Sequence, residues 1–230
     1  MKDVILTDID GCLIQWQSGL PYFLAKHSLN TEKAIESMRT EAFISPAEMF
    51  GLNPEIATKL LKEYNNSKFI RYLSAYRDAL TWVNEAKKTY DFVAVTALSD
   101  KPEAILNRLS NLNALFPGAF IDIMSCGFGE SKTDMFKSAV KKYDGRIVSF
   151  IDDLAINIED AAEVLPKGIN YYHIIRGPRE PVKTEGINCI QISNLNAIHP
   201  GCVGAVAASE VIPKTYARPP KKIISSSLHL

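Results

Sequence analysis

The chain has 230 residues, 47% hydrophobic and 23% charged, which is ample material for one large domain or one domain carrying an insert. Lysine plus arginine (26) equals aspartate plus glutamate (26), so no global charge points to nucleic acid or a membrane surface. Four scattered cysteines form no CxxC pair, and no apolar run reaches the roughly 18 residues that cross a bilayer. These features lead us to expect a cytoplasmic protein with reduced thiols, without a membrane span or signal peptide.

The first predicted strand, residues 4–7, runs straight into Asp8, Ile9, Asp10 and Gly11. Two carboxylates this close repel one another. A fold keeps such a pair where a cation neutralises it or where a raised pKa is useful; a turn or cap role is the alternative. Gly11 lets the backbone turn tightly and approach a ligand closely.

Residues 15–88 carry helix signals and little strand. Residues 31–43 are periodic and charged, Ser45-Pro46-Ala47-Glu48 has the form of a capping box, Asn53-Pro54 opens a helix to about Tyr64, and a further helix is predicted over 74–89. The stretch is longer than a crossover connection needs, so it reads as a helical insert. Beyond it, apolar strands at 92–96, 119–124, 147–151, 171–175 and 189–192 alternate with helices at 103–109, 132–143 and 158–164, the last preceded by Asn157. Strands that are apolar throughout belong to a parallel sheet covered on both faces. The expected fold is therefore α/β, a three-layer doubly wound parallel sheet with a helical insert. Its core spans 1–14 and 89–200, the insert 15–88 and a tail 201–230. The tail carries Lys214, Arg218, Lys221 and Lys222 among prolines. It reads as partly ordered, with docking through basic residues 211–222 as the alternative.

In open α/β sheets ligands bind beyond the carboxyl ends of the strands. Asp8 and Asp10 follow the first strand there, and Thr96 ends the second. Lys132 opens a helix after the 127–131 loop, and Asp152 with Asp153 ends the fourth strand. Each alone has an ordinary structural explanation. Together they suit a Mg²⁺ site that handles phosphate: hard oxygen ligands for the ion, a lysine and a hydroxyl for phosphoryl oxygens.

The pattern resembles the haloacid dehalogenase superfamily of phosphohydrolases. Asp8-Ile9-Asp10-Gly11 is similar to its first motif, Thr96 to the second, Lys132 to the third and Asp152-Asp153 to the fourth. The resemblance implies a Rossmann-like core with a type 1 helical cap between motifs one and two. It implies a phosphatase in which Asp8 is the nucleophile that forms an aspartyl-phosphate, Asp10 the general acid and base, and Thr96 and Lys132 the phosphate-binding pair. The implied Mg²⁺ is held by Asp8, the main-chain carbonyl of Asp10 and Asp153, with Asp152 in reserve. Dehalogenases of the superfamily lack the second acid, so Asp10 favours phosphatase chemistry. Asn157 departs from the acid often found at that position. The tail after about Ser193 has no counterpart in the motifs.

A helical cap implies a small phosphorylated substrate. Aromatics are frequent in the insert, and most at helical spacing are expected in its core. Trp16, Tyr22 and Phe23, just downstream of the nucleophile, tip the expectation toward a nucleotide monophosphate. A sugar phosphate is the competitor within the enzyme class, and a non-catalytic scaffold of the same fold the competitor outside it. Arg176 and Arg179 read as a solvated loop, with substrate contact the alternative.

Overall fold

The structure, a computed structural model, describes residues 1–42, 44–207 and 211–212. Beyond Ile212 the basic docking segment anticipated over 211–222 lies outside the described residues, as does Phe43.

Alternation along the strands builds the layers. In β1 (Asp3–Thr7), Ile5 faces one core while Val4 and Leu6 face the other; in β2 (Tyr90–Thr96), Phe92 and Ala94 oppose Val93 and Val95 in the same way. Together with β3 (Phe120–Ser125), β4 (Ile147–Asp152), β5 (Asn170–Ile174) and β6 (Cys189–Ile192), they form a parallel sheet in the order β3-β2-β1-β4-β5-β6. Side chains apolar on both faces need cover on both sides, and helices supply it. All six predicted strands are present, their ends shifted by at most two residues.

Between β1 and β2 stand α1 (Leu20–Lys26), α2 (Glu32–Thr40), α3 (Pro46–Phe50), α4 (Pro54–Asn66), a 3-10 turn at Lys68–Tyr72 and α5 (Arg77–Ala86). The predicted caps form: Ser45 Oγ accepts from Glu48 N at 3.2 Å and Asn53 Oδ1 from Ile56 N at 3.0 Å. The sequence reading missed α1, whose start is marked only by Pro21 in its first turn. α5 packs on the sheet: the Trp82 ring meets Phe92 edge-on at 5.7 Å, and its indole N–H donates to the Ile198 carbonyl at 2.8 Å.

The remaining helices are α6 (Pro102–Leu115), α7 (Thr133–Lys142) and α8 (Ala155–Val164). α6 outruns its prediction because its polar residues Asn107, Arg108 and Asn111 are buried and partly paired, and no breaker occurs before Pro117. α7 and α8 cover the face opposite α5 with Met135, Phe136, Ala139, Ile158 and Ala161. α8 starts two residues before Asn157, so Asn157 lies within the helix. No helix among the described residues is long and apolar enough to cross a membrane.

Candidate active site

The strand order changes direction beside β1, whose neighbours β2 and β4 lead to opposite edges, and a crevice opens at such a point. Here the cleft has a volume of about 720 Å³. Asp8, Asp10, Thr96, Lys132, Asp153 and Asn157 line its core side, and Trp16, Ile44, Met49 and Leu61 line the helical side. Asp152 is fully buried just behind.

Parallel pairing sets the acids side by side. Thr7 is in register with Ile151, and Asp8 N donates to the Ile151 carbonyl at 2.8 Å, so the residues after β1 meet those ending β4. The chain then reverses through Gly11, at φ +80°, with Gly11 N donating to the Ile14 carbonyl at 2.9 Å. A Cβ at Gly11 would lie 2.5 Å from Asp153 Oδ2. The close approach expected of this glycine is thus to a carboxylate of its own chain.

Lys132 bridges two acids, with Nζ 2.8 Å from Asp8 Oδ1 and 2.8 Å from Asp152 Oδ2. Burial alone would lower its pKa, but Asp152 and Asp8 outweigh burial and hold it above the usual lysine range. Asp152 also accepts from the Leu154 N–H (2.9 Å) and from Asn157 Nδ2 at 3.0 and 3.1 Å. Its carboxylate is therefore occupied in orienting the lysine and the start of α8. Asp153 faces the other way: carboxylate oxygens of Asp8 and Asp153 and the Cys12 sulfur all lie within 4.8 Å of one another. The structure thus separates the two motif-four acids that the sequence left as alternatives.

Charge decides whether a cation fits. Among the described residues, the buried Asp8, Asp152 and Asp153 have Lys132 and Arg179 as their cationic partners, two cations for three carboxylates. Burial pushes Asp8 well above the carboxylate range, against the pull of Lys132, and pushes Asp153 up to about 6, against the pull of Arg179. The Cys12 thiol is pushed up by burial and by the same acids, so it adds no charge at neutral pH. A pocket with excess buried negative charge and hard oxygen donors suits Mg²⁺.

Two features escaped the sequence reading. Arg179 is 3% exposed, and its Nε donates to Asp153 Oδ2 at 2.8 Å; Arg176, at 8%, pairs with Asp78 at 2.9 Å. The loop after β5 is therefore packed rather than solvated, because one guanidinium pairs with the buried Asp153 and the other with the partly buried Asp78. Arg108 of α6, fully buried, donates through Nη2 to both oxygens of Asp10, at 2.5 and 2.6 Å. Its only sequence signal is a polar interruption, Asn107, Arg108 and Asn111, on a helix face that Ala104 and Leu112 bury. Of the three aromatics singled out, Trp16 lines the cleft. Tyr22 is 70% exposed and borders a different groove, and Phe23 is buried against Tyr64 and Phe69.

Solved structures of haloacid dehalogenase-like proteins share this fold. The magnesium-bound HAD-hydrolase YfnB of Bacillus subtilis superposes with a TM-score of 0.57 at 15% identity, over 85% of this chain and 96% of that one. The fold is the haloacid dehalogenase-like fold. CbbY of Rhodobacter sphaeroides, solved with phosphate, gives 0.51 at 14% identity over 84% and 95%. L-2-haloacid dehalogenases match at 0.53, so the HAD-like fold by itself leaves phosphatase and dehalogenase chemistry open. In sequence, the chain is 48% identical over 182 residues to an uncharacterized 32.4 kDa protein from the Gp30-rIII intergenic region of Enterobacteria phage T4. The alignment covers 79% of this chain and 64% of that protein's length. No protein-family model matches the chain.

Proposed function

We propose that this protein is a Mg²⁺-dependent phosphomonoester hydrolase of the haloacid dehalogenase superfamily, acting through an aspartyl-phosphate on a small phosphorylated metabolite. One observation carries the reading: Asp8, Asp10, Thr96, Lys132 and Asp153, gathered from four separate chain segments, line a single cleft. A non-catalytic scaffold has no physical need to crowd that many acids at the ends of two neighbouring strands. The second acid, Asp10, favours a phosphatase over a dehalogenase.

Asp8 would attack phosphorus with a carboxylate oxygen, splitting one hard displacement into two easier ones. The phosphorus–oxygen ester bond breaks, and the departing oxygen takes the proton held by Asp10. In the second half, Asp10 takes a proton from water as the water oxygen attacks phosphorus, and the aspartyl bond breaks to return the Asp8 carboxylate and release phosphate. Asp10 can hold that first proton because burial raises its pKa, although Arg108 opposes the rise. Lys132, fixed by Asp8 and Asp152, and the Thr96 hydroxyl would bind phosphoryl oxygens. Asp8, the Asp10 main-chain carbonyl and Asp153 would hold Mg²⁺, which supplies positive charge against the phosphoryl group.

For the substrate we favour a nucleoside monophosphate, on the half-buried Trp16 that lines the same cleft as the nucleophile; a sugar phosphate is the second reading. The free thiols of Cys12, Cys126 and Cys202 accord with a cytoplasmic setting. The test is a Mg²⁺-dependent phosphatase screen over nucleotides, sugar phosphates and phosphoamino acids, repeated with Asp8→Asn and Asp10→Asn. Both variants should be inactive. Unchanged turnover by Asp8→Asn ends the mechanism, and a clear preference for sugars overturns the nucleotide assignment.

A further inference from the structure

We propose that Arg108 is the positioning residue for Asp10, holding its carboxyl in the orientation from which it hands a proton to the leaving oxygen. The inference rests on the hydrolase reading above. It begins with an asymmetry: Arg108 is fully buried and absent from the cleft wall, while the Asp10 side chain is 22% exposed and lines the cleft. A purely structural ion pair gains nothing from leaving its acid at the edge of a ligand pocket.

The contact geometry suits the role. One nitrogen, Nη2, spans both Asp10 oxygens, while Nε and Nη1 find no protein partner among the described residues. A fork-on-fork pairing would set two guanidinium nitrogens against the carboxylate. Here a single donor fixes its rotation and occupies only about half of its roughly four lone-pair positions. Each oxygen keeps capacity for a proton or a substrate contact.

The anchor is itself held. On either side of Arg108 along α6, Asn107 Oδ1 accepts from Arg71 at 2.9 and 3.2 Å, and Asn111 Nδ2 donates to the Leu73 carbonyl at 2.9 Å. These bonds clamp α6 to the segment that leads out of the 3-10 turn. Arg108 therefore approaches Asp10 from a fixed support, the arrangement by which a supporting residue defines the geometry of a reacting group. Arg108 exchanges no proton and forms no bond during turnover; its effect passes through the orientation of Asp10.

Leaving-group dependence separates this role from a structural one. p-Nitrophenolate departs without a proton, whereas an alkoxide requires one. With saturating Mg²⁺, kcat and KM are measured for p-nitrophenyl phosphate and for a simple alkyl phosphate in the wild-type, Arg108→Met and Arg108→Lys proteins. Arg108→Met is expected to lose about 100-fold in kcat/KM on the alkyl ester but only about 5-fold on the aryl ester, because kcat/KM covers formation of the aspartyl-phosphate and not its hydrolysis, where Asp10 serves both substrates alike. Arg108→Lys keeps the cation without the planar group, and should show the same selectivity at about 10-fold. If Arg108→Met does not fold by circular dichroism, Arg108→Lys carries the test. Equal losses in kcat/KM on both substrates, or no loss on the alkyl ester, overturn the assignment. A wild-type protein that turns over neither ester fails at the earlier reading and takes this one with it.

Discussion

Arg179 reaches two ways: its Nε donates to Asp153 Oδ2 at 2.8 Å and its Nη1 to the Glu41 carbonyl at 2.8 Å. One side chain thus joins a proposed cation ligand to the residue that ends α2. Gly177, two residues earlier, lies so close to Glu41 that a Cβ there would stand 2.5 Å from the Glu41 carbonyl oxygen. Removing one member of a buried pair strands the other charge, at a cost of about 3–5 kcal/mol. Arg179→Met should therefore lower the unfolding free energy by about 3 kcal/mol in chelator. Saturating Mg²⁺ should recover part of the loss, since the ion compensates the same carboxylate. Denaturant titrations with and without Mg²⁺ read both effects; a deficit that Mg²⁺ leaves untouched would uncouple Asp153 from the ion.

A second prediction concerns pH. Burial lifts Asp153 from its ordinary 3.8 to about 6. The folded chain then keeps a proton that the unfolded chain has lost between about pH 4 and pH 6, so stability falls as pH rises through that window and stays lower above it. His173, which lies against the Asp153 carbonyl at 3.0 Å, has the opposite sign. Burial lowers its pKa, so stability falls as pH drops below its ordinary 6.5. Mg²⁺ relieves the Asp153 penalty. The gain in stability from Mg²⁺ should therefore be larger at about pH 7.5 than at about pH 5, by on the order of 2 kcal/mol. Thermal melts of the wild-type and Asp153→Asn proteins check this: the pH dependence of the Mg²⁺ increment should shrink in the variant, leaving the part that Asp8 carries.

The legible parts of this molecule were those written in local pattern. Strands apolar throughout, the Ser45 and Asn53 caps and the acids at strand ends are properties of neighbouring residues, and the structure places the strands in one sheet and the acids around one cleft. What could not be read depends on distant partners. Arg108 meets Asp10 across 98 positions and Arg179 meets Asp153 across 26. No spacing rule predicts either, and a buried arginine reads in sequence as a solvated one. The motif resemblance preferred Asp153 with Asp152 in reserve, but the partners that set the two apart, Lys132 and Asn157 on Asp152 and Arg179 on Asp153, could not be read from spacing. Even the aromatics divided only in three dimensions, with Trp16 at the cleft and Phe23 inside the core.

Trp16 leads to a third prediction. Its indole N–H donates to Asn65 Oδ1 at 3.0 Å, and the Tyr64 ring stands edge-on to it at 5.1 Å, while Tyr64 Oη donates to the Trp16 carbonyl at 2.6 Å. The ring is thus fixed from behind, a low-entropy platform for a base. Stacking of a base on an aromatic side chain contributes about 1–3 kcal/mol. Trp16→Ala should raise KM for a nucleoside monophosphate by about 10-fold or more and change KM for inorganic-like small esters far less. Equal KM changes for nucleotide and p-nitrophenyl phosphate would show that the ring supports the cleft without contacting a base.

The last prediction uses two glycines. Both Gly11 (φ +80°) and Gly145 (φ +67°) adopt left-handed backbone, but a Cβ at Gly145 meets nothing within 4 Å, whereas one at Gly11 would collide with Asp153 Oδ2. Alanine at either position carries the backbone strain of about 1–2 kcal/mol. Only at Gly11 must the Asp153 carboxylate also move, away from Asp8 and off the Arg179 Nε. Gly145→Ala should therefore lose stability by that amount and keep wild-type Mg²⁺ affinity. Gly11→Ala should lose more stability and weaken Mg²⁺ binding by about 10-fold or more, as titration calorimetry on the folded protein would read. Equal Mg²⁺ affinity in the two variants would mean that the carboxylate beside Gly11 does not hold the ion, and the choice of Asp153 over Asp152 would have to be reversed.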